Sequence, residues 1–162
     1  MRKLLSSFCI ILCLLVLSGC NDKNIYSGIE KDNIQEISKN KNIEFVHEYK
    51  GSGNHWAAIH IVYKIEGEEK HKIKHFIKYI GGKPKPTGQI SYTYETVGNS
   101  GSGSFVIEKP KDDIYSLGST ESNGAIPLID SVIKMEITWN GNTEELELKI
   151  SPEGQENKPN GE

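Results

Sequence analysis

Apolar and polar residues alternate along most of the chain. Trp56 to Ile65 places Ala57, Ile59, Ile61, Tyr63 and Ile65 on one face. Trp56, Ala58, His60, Val62 and Lys64 fall on the other. A period of two is the signature of a strand. Ile43 to Tyr49 predicts an earlier strand, closed by Gly51-Ser52-Gly53. Gln89 to Val97 predicts a later one, with Ile90, Tyr92 and Tyr94 on one side. His71 to Ile80 fits two periods. Ile73, Phe76, Ile77 and Ile80 make a helical stripe, while Ile73, His75, Ile77 and Tyr79 alternate with lysines. The ten-residue length, the isoleucines and the closing Gly81-Gly82 favour a strand. Residues 98–104 read as a flexible Gly-Ser loop, Phe105 to Glu108 as a short strand and 111–125 as a polar connection.

The last two apolar runs form the clearest hairpin. Ile133, Met135, Ile137 and Trp139 alternate with polar residues, and Glu144 to Ile150 does the same. Asn140-Gly141 lies between them, a dipeptide that tolerates positive φ at both turn positions. A two-residue turn pairs Met135 with Leu146, Ile133 with Leu148 and Lys134 with Glu147. A four-residue loop pairs Ile137 with Leu146 and sets Lys134 against Lys149. Both keep the apolar face intact, and charge pairing favours the tighter turn. About seven short strands without a long helix predict an all-β domain, a single immunoglobulin-like antiparallel β-sandwich.

The N-terminus has a different pattern. Met1-Arg2-Lys3 is a short positive segment, and Leu4 to Leu17 is apolar except for Ser6 and Ser7. The run is too short to span a hydrocarbon core of about 30 Å, and fits an export signal. It ends in Leu17-Ser18-Gly19-Cys20, where the thiol of Cys20 can accept a lipid. This tetrapeptide, behind a charged and then an apolar segment, resembles the lipobox of bacterial lipoproteins. The resemblance implies cleavage before Cys20, a diacylglyceryl thioether on it, and attachment to the outer face of the cell membrane. Residues 1–19 are then a removed signal, and 20–42 a lipidated Cys followed by a flexible tether. As a coil, that tether holds the domain roughly 25 Å from the bilayer. Residues 43–150 form the domain and 151–162 a disordered tail. The Trp-Asn-Gly hairpin and the Gly-Ser segment after Tyr94-Glu95-Thr96 are similar to small lipoproteins of Gram-positive bacilli. That group has no agreed activity, so the likeness implies location and fold but no catalytic residue.

Composition narrows the function. The 162 residues include 19 Lys+Arg and 22 Asp+Glu, a net charge of −3 that argues against nucleic acid as a partner. Cys9 and Cys13 leave with the signal and Cys20 is acylated, so the mature domain has no thiol nucleophile, Cys zinc site or disulfide. Residues 64–85 hold seven Lys and three Glu. Lys72, Lys74 and Lys78 are therefore candidates for contact with a polyanion, either lipid headgroups or an anionic wall polymer. The competing reading is that they keep a strand face soluble. His71 and His75 are four apart; on a strand that is roughly 13 Å, too far to share an ion. No metal site and no cofactor is expected. Ser131-Val-Ile-Lys134 and Ser38-Lys-Asn-Lys41 match a Ser-x-x-Lys pattern but lack the helical context in which Lys activates Ser. The expectation is a membrane-anchored, non-enzymatic accessory or interaction module of the cell envelope, with an envelope protein or anionic polymer as partner. The alternative is a small solute- or metal-binding lipoprotein.

Overall fold

The computed structural model describes residues 24–150. Eight strands account for most of them: β1 Ile43–Ser52, β2 Trp56–Ile65, β3 His71–Tyr79, β4 Gly88–Glu95, β5 Ser100–Ile107, β6 Ile114–Ser122, β7 Ile133–Trp139 and β8 Asn142–Ile150. All pairs are antiparallel, in the order β5-β4-β7-β8-β1-β2-β3-β6. The β8–β1 junction is short, with Tyr49 opposite Ile150 and Lys50 opposite Lys149. The sheet coils until its two halves face each other, nearly as a barrel. Trp56 of β2 meets Trp139 of β7 across the interior, with ring centroids 5.8 Å apart.

The all-β expectation holds in this form. The structure departs from a seven-strand, two-sheet sandwich because two segments expected as loops are full strands. Residues 100–104 extend the expected strand at Phe105 and pair with β4 throughout, and 114–122 pair with β3. The Gly-Ser stretch forms a strand because its partner supplies what it lacks. Tyr94 lies over Gly101 and Tyr92 over Gly103, their directly opposite residues. A Cβ at Gly103 would come within 2.6 Å of the Tyr92 hydroxyl. The cross-strand tyrosines thus cover two glycines that cannot bury anything themselves.

Elsewhere the pattern holds. Segment 71–79 is a strand, with every second residue buried. The β7–β8 hairpin adopts the two-residue turn, with Met135 opposite Leu146 and Lys134 opposite Glu147. Asn140 and Gly141 take φ of 46° and 77°, the primed geometry that matches strand twist.

The segment expected as a tether is different. From Asn24 to Asn42 the chain forms a strap across the outer face of β1, β2 and β3. It contains a 3-10 turn at Lys31–Asn33 and a short helix α1 at Gln35–Ser38. Ile29, Ile34 and Ile37 are buried against Ile59, Ile61 and Tyr63. Polar contacts fix the strap on both sides. The Lys31 backbone N–H donates to Glu48 at 2.6 Å, and Lys50 pairs with Glu30 at 3.2 Å. Tyr63 donates its hydroxyl to Glu36. Each buried isoleucine contributes roughly 1.5–3 kcal/mol before the entropy of ordering the segment is subtracted. The strap therefore packs as part of the domain rather than as a free tether.

Ile29 is 1% exposed. Ile29→Ala should lower the unfolding free energy by about 2–4 kcal/mol in a denaturant titration. A free tether would leave the midpoint unchanged.

Candidate functional site

The interior divides along the barrel axis. Near one end, Trp56 packs edge-on against Tyr79 and Trp139, and Tyr115 packs on Phe105. Towards the other end the inward positions are His47 and Tyr49 of β1, His60 of β2, His71 and His75 of β3, and Tyr94 of β4. The strand period places them there, since each shares parity with the core residues of its own strand. The β6–β7 connection lies over this end, where Tyr49 donates its hydroxyl to the carbonyl of Pro127 at 2.7 Å.

His60 and His75 stand directly opposite in the β2–β3 register, and are 1% and 3% exposed. Their Nδ1 atoms are 3.1 Å apart, so one imidazole donates to the other. The ring of Tyr94 lies 4.3 Å from that of His75, and Tyr49 meets His60 edge-on at 5.9 Å. Neither Nε2 has a hydrogen-bond partner among the protein atoms. Burial pushes His75 down to about 4. Burial, with the charge of His75 beside it, pushes His60 down to about 2. The pair is neutral near pH 7, each imidazole offering one hydrogen-bond donor and one acceptor and carrying no charge.

The separation of the two Nδ1 atoms is near that of two ligands on one tetrahedral ion, about 3.3 Å for bonds near 2.05 Å. The set stops at two. No group of three or more His, Cys, Asp or Glu suited to a metal occurs among the described residues. His71 and His75 share a face but lie two pleats apart on β3, and His71 does not join the pair. The cross-strand partner His60 was not singled out in the sequence. Its position opposite His75 depends on the β2–β3 register, which only the turn at 66–70 sets.

The three candidate lysines project from the outer face of β3. Lys72 pairs with Glu68 at 3.1 Å and Lys74 with Glu36 of the strap at 3.1 Å. Lys78 donates to the backbone carbonyl of Ser27 at 2.8 Å. Two of these partners belong to the strap, and a polyanion would have to compete with all three. Leu17, Ser18, Gly19 and Cys20 lie outside the described residues, as does the tail from 151. Among the described residues, nothing covers the outer face of β4, β5, β7 and β8. A shallow groove of about 1000 Å³ runs over it, lined by Thr93, Ser102, Lys134, Glu136, Glu145 and Glu147 among others. Comparison with protein-family models, curated proteins and solved structures finds no match to this chain.

The buried pair makes stability depend on pH. Both histidines have native pKa values below the unfolded value of about 6.5, so the unfolded chain takes up protons first. Their stabilisation is complete above pH 6.5 and is lost as the pH falls, down to about 4 for His75 and about 2 for His60. By pH 4.5 the loss should be about 2–3 kcal/mol per histidine. Urea midpoints measured between pH 7 and 4.5 should fall accordingly, and the His60→Phe/His75→Leu double variant should flatten that slope.

Proposed function

We propose that this chain is an exported lipoprotein, held at the outer face of the cell membrane by acylation of Cys20, and that it acts there as a non-enzymatic interaction module of the cell envelope. The observation that carries this reading is the ordered run of charge, apolar segment and Leu17-Ser18-Gly19-Cys20. Its partners are membrane lipid, through the covalent anchor, and an envelope protein or anionic polymer. Two acyl chains contribute about 0.8 kcal/mol per buried methylene, enough for stable attachment.

The strap gives this reading a geometry. Three residues, spanning four Cα–Cα steps, separate Cys20 from Asn24, the first described residue. Fully extended they reach at most about 14 Å. A domain on so short a lead is held next to the bilayer, with its β4-β5-β7-β8 face uncovered for contact. Both exposed faces and loops suit binding better than catalysis, since the buried histidines lie behind Tyr94 and away from solvent.

A radiolabelled palmitate feed tests the anchor. The wild-type chain should take up label and sediment with membranes, and Cys20→Ala should do neither. Equal labelling of the two would overturn the assignment of Cys20.

The alternative of a solute- or metal-binding lipoprotein draws on one specific feature, the His60–His75 pair with both Nε2 atoms unpartnered. Titration calorimetry with Zn²⁺ and Cu²⁺ separates the two readings. An interaction module gives no stoichiometric heat, whereas a metal carrier binds about one ion per chain and loses it in His60→Phe.

A further inference from the structure

β5 and β6 are the outermost strands, and each has one hydrogen-bonded neighbour. They are joined by residues 108–113, so their free edges lie along one seam. Near that connection the seam is bridged. Phe105 and Tyr115 rings stand 5.3 Å apart, and Tyr92 passes Gly103 to donate to the Leu117 carbonyl at 2.9 Å. Farther along, the edges are free of such bridges among the described residues. The register of β6 against β3 shifts beside His75, between Lys74 and Phe76, and Thr120 beyond it is exposed despite its inward parity.

Unpaired strand edges invite another strand, and proteins usually block them with Lys, Pro, a bulge or an inward charge. β6 has its register shift and Glu121. β5 has none of these: it lacks charge and proline, and pairs with β4 without a break. Its first five residues, Ser100-Gly101-Ser102-Gly103-Ser104, also read the same in both directions, and the Tyr92 bridge passes on their inner side at Gly103. Antiparallel pairing of such a segment with itself, centred on Ser102, sets serine against serine and glycine against glycine. The serines all point outward and the glycines inward. No like charges meet, and serine pairs can hydrogen-bond across the strands.

We infer that the free edge of β5 is a homodimer interface, in which two copies pair their Ser100–Ser104 segments antiparallel about a two-fold axis through Ser102. Such an interface is isologous and closes at two copies. It does not depend on the lipid anchor.

The test is register-specific crosslinking of the full chain in a non-ionic detergent, with the parent chain as control for its own thiols. Residues opposed across an antiparallel pair have Cα atoms about 4.5–5.5 Å apart, within disulfide reach. Ser102→Cys should give a disulfide-linked dimer several-fold above the parent under mild oxidation. Ser104→Cys alone should not, but a mixture of Ser100→Cys and Ser104→Cys chains should. Sedimentation equilibrium should give twice the chain mass for the wild type and for Cys20→Ala, and the single mass for Ser102→Lys. A wild type that stays monomeric at tens of micromolar, or crosslinking equal at 102 and 104, would overturn the interface. Loss of the dimer in Cys20→Ala alone would overturn its independence from the anchor, while leaving the anchor itself standing.

Discussion

β2 is buried on both faces. From Trp56 to Tyr63 every residue is shielded from solvent, although the strand belongs to an antiparallel sheet that could have left one side wet. One face looks into the coiled sheet, where Trp56, Ala58 and Val62 join the main core. The other carries Ile59, Ile61 and Tyr63, which water would penalise at roughly 25 cal/mol per Å² of exposed apolar surface. Something has to cover that outer face. The strap does so, held in place by the ion pairs of Glu30 with Lys50 and Glu36 with Lys74 and by the Lys31 N–H donating to Glu48. The packing of residues 24–42 on the sheet and the engagement of the β3 lysines both follow from this one requirement.

Inside the coil, the aromatic end is a conventional apolar core, whereas the histidine end carries a cost. Two imidazoles are buried with one hydrogen bond between them and two ring nitrogens unpartnered. A buried polar group without a partner costs about 1–3 kcal/mol. The sheet bears that cost where the β6–β7 connection covers the end, with Tyr49 holding the carbonyls of Pro127 and Leu128. The same region leaves Leu128 and Ile129 exposed on its outer side. The arrangement ties pH sensitivity to one end of the molecule rather than to the domain as a whole.

Much of the fold is legible in the chain because it depends on neighbours in sequence. The β7–β8 turn is set by Asn140-Gly141, and its register by Lys134 meeting Glu147. β2 and β4 follow from alternation alone, and β3 from its length, its isoleucines and the closing Gly81-Gly82. β5 was hidden because glycine carries no apolar signal. Its partner tyrosines supply the cover, and that pairing appears only when Tyr92 and Gly103 are placed opposite one another. β6 was hidden because beyond Leu117 it carries only Gly, Ser, Thr and Glu, and its place beside β3 is a long-range contact.

The sequence by itself determined the all-β class, the strands that alternate strongly and the tight hairpin. Each rests on spacing within about ten residues, where side-chain parity and turn chemistry leave few choices. The tertiary structure alone decided the rest. It turned a polar, isoleucine-dotted segment into a strap, because only the folded sheet presents the second apolar face that those isoleucines cover. It brought His60 against His75, because two histidines fifteen residues apart meet only when the β2–β3 register is set. It left the edge of β5 open, because a sheet of eight strands that coils without closing must end somewhere, and here it ends on the segment with the least to bury.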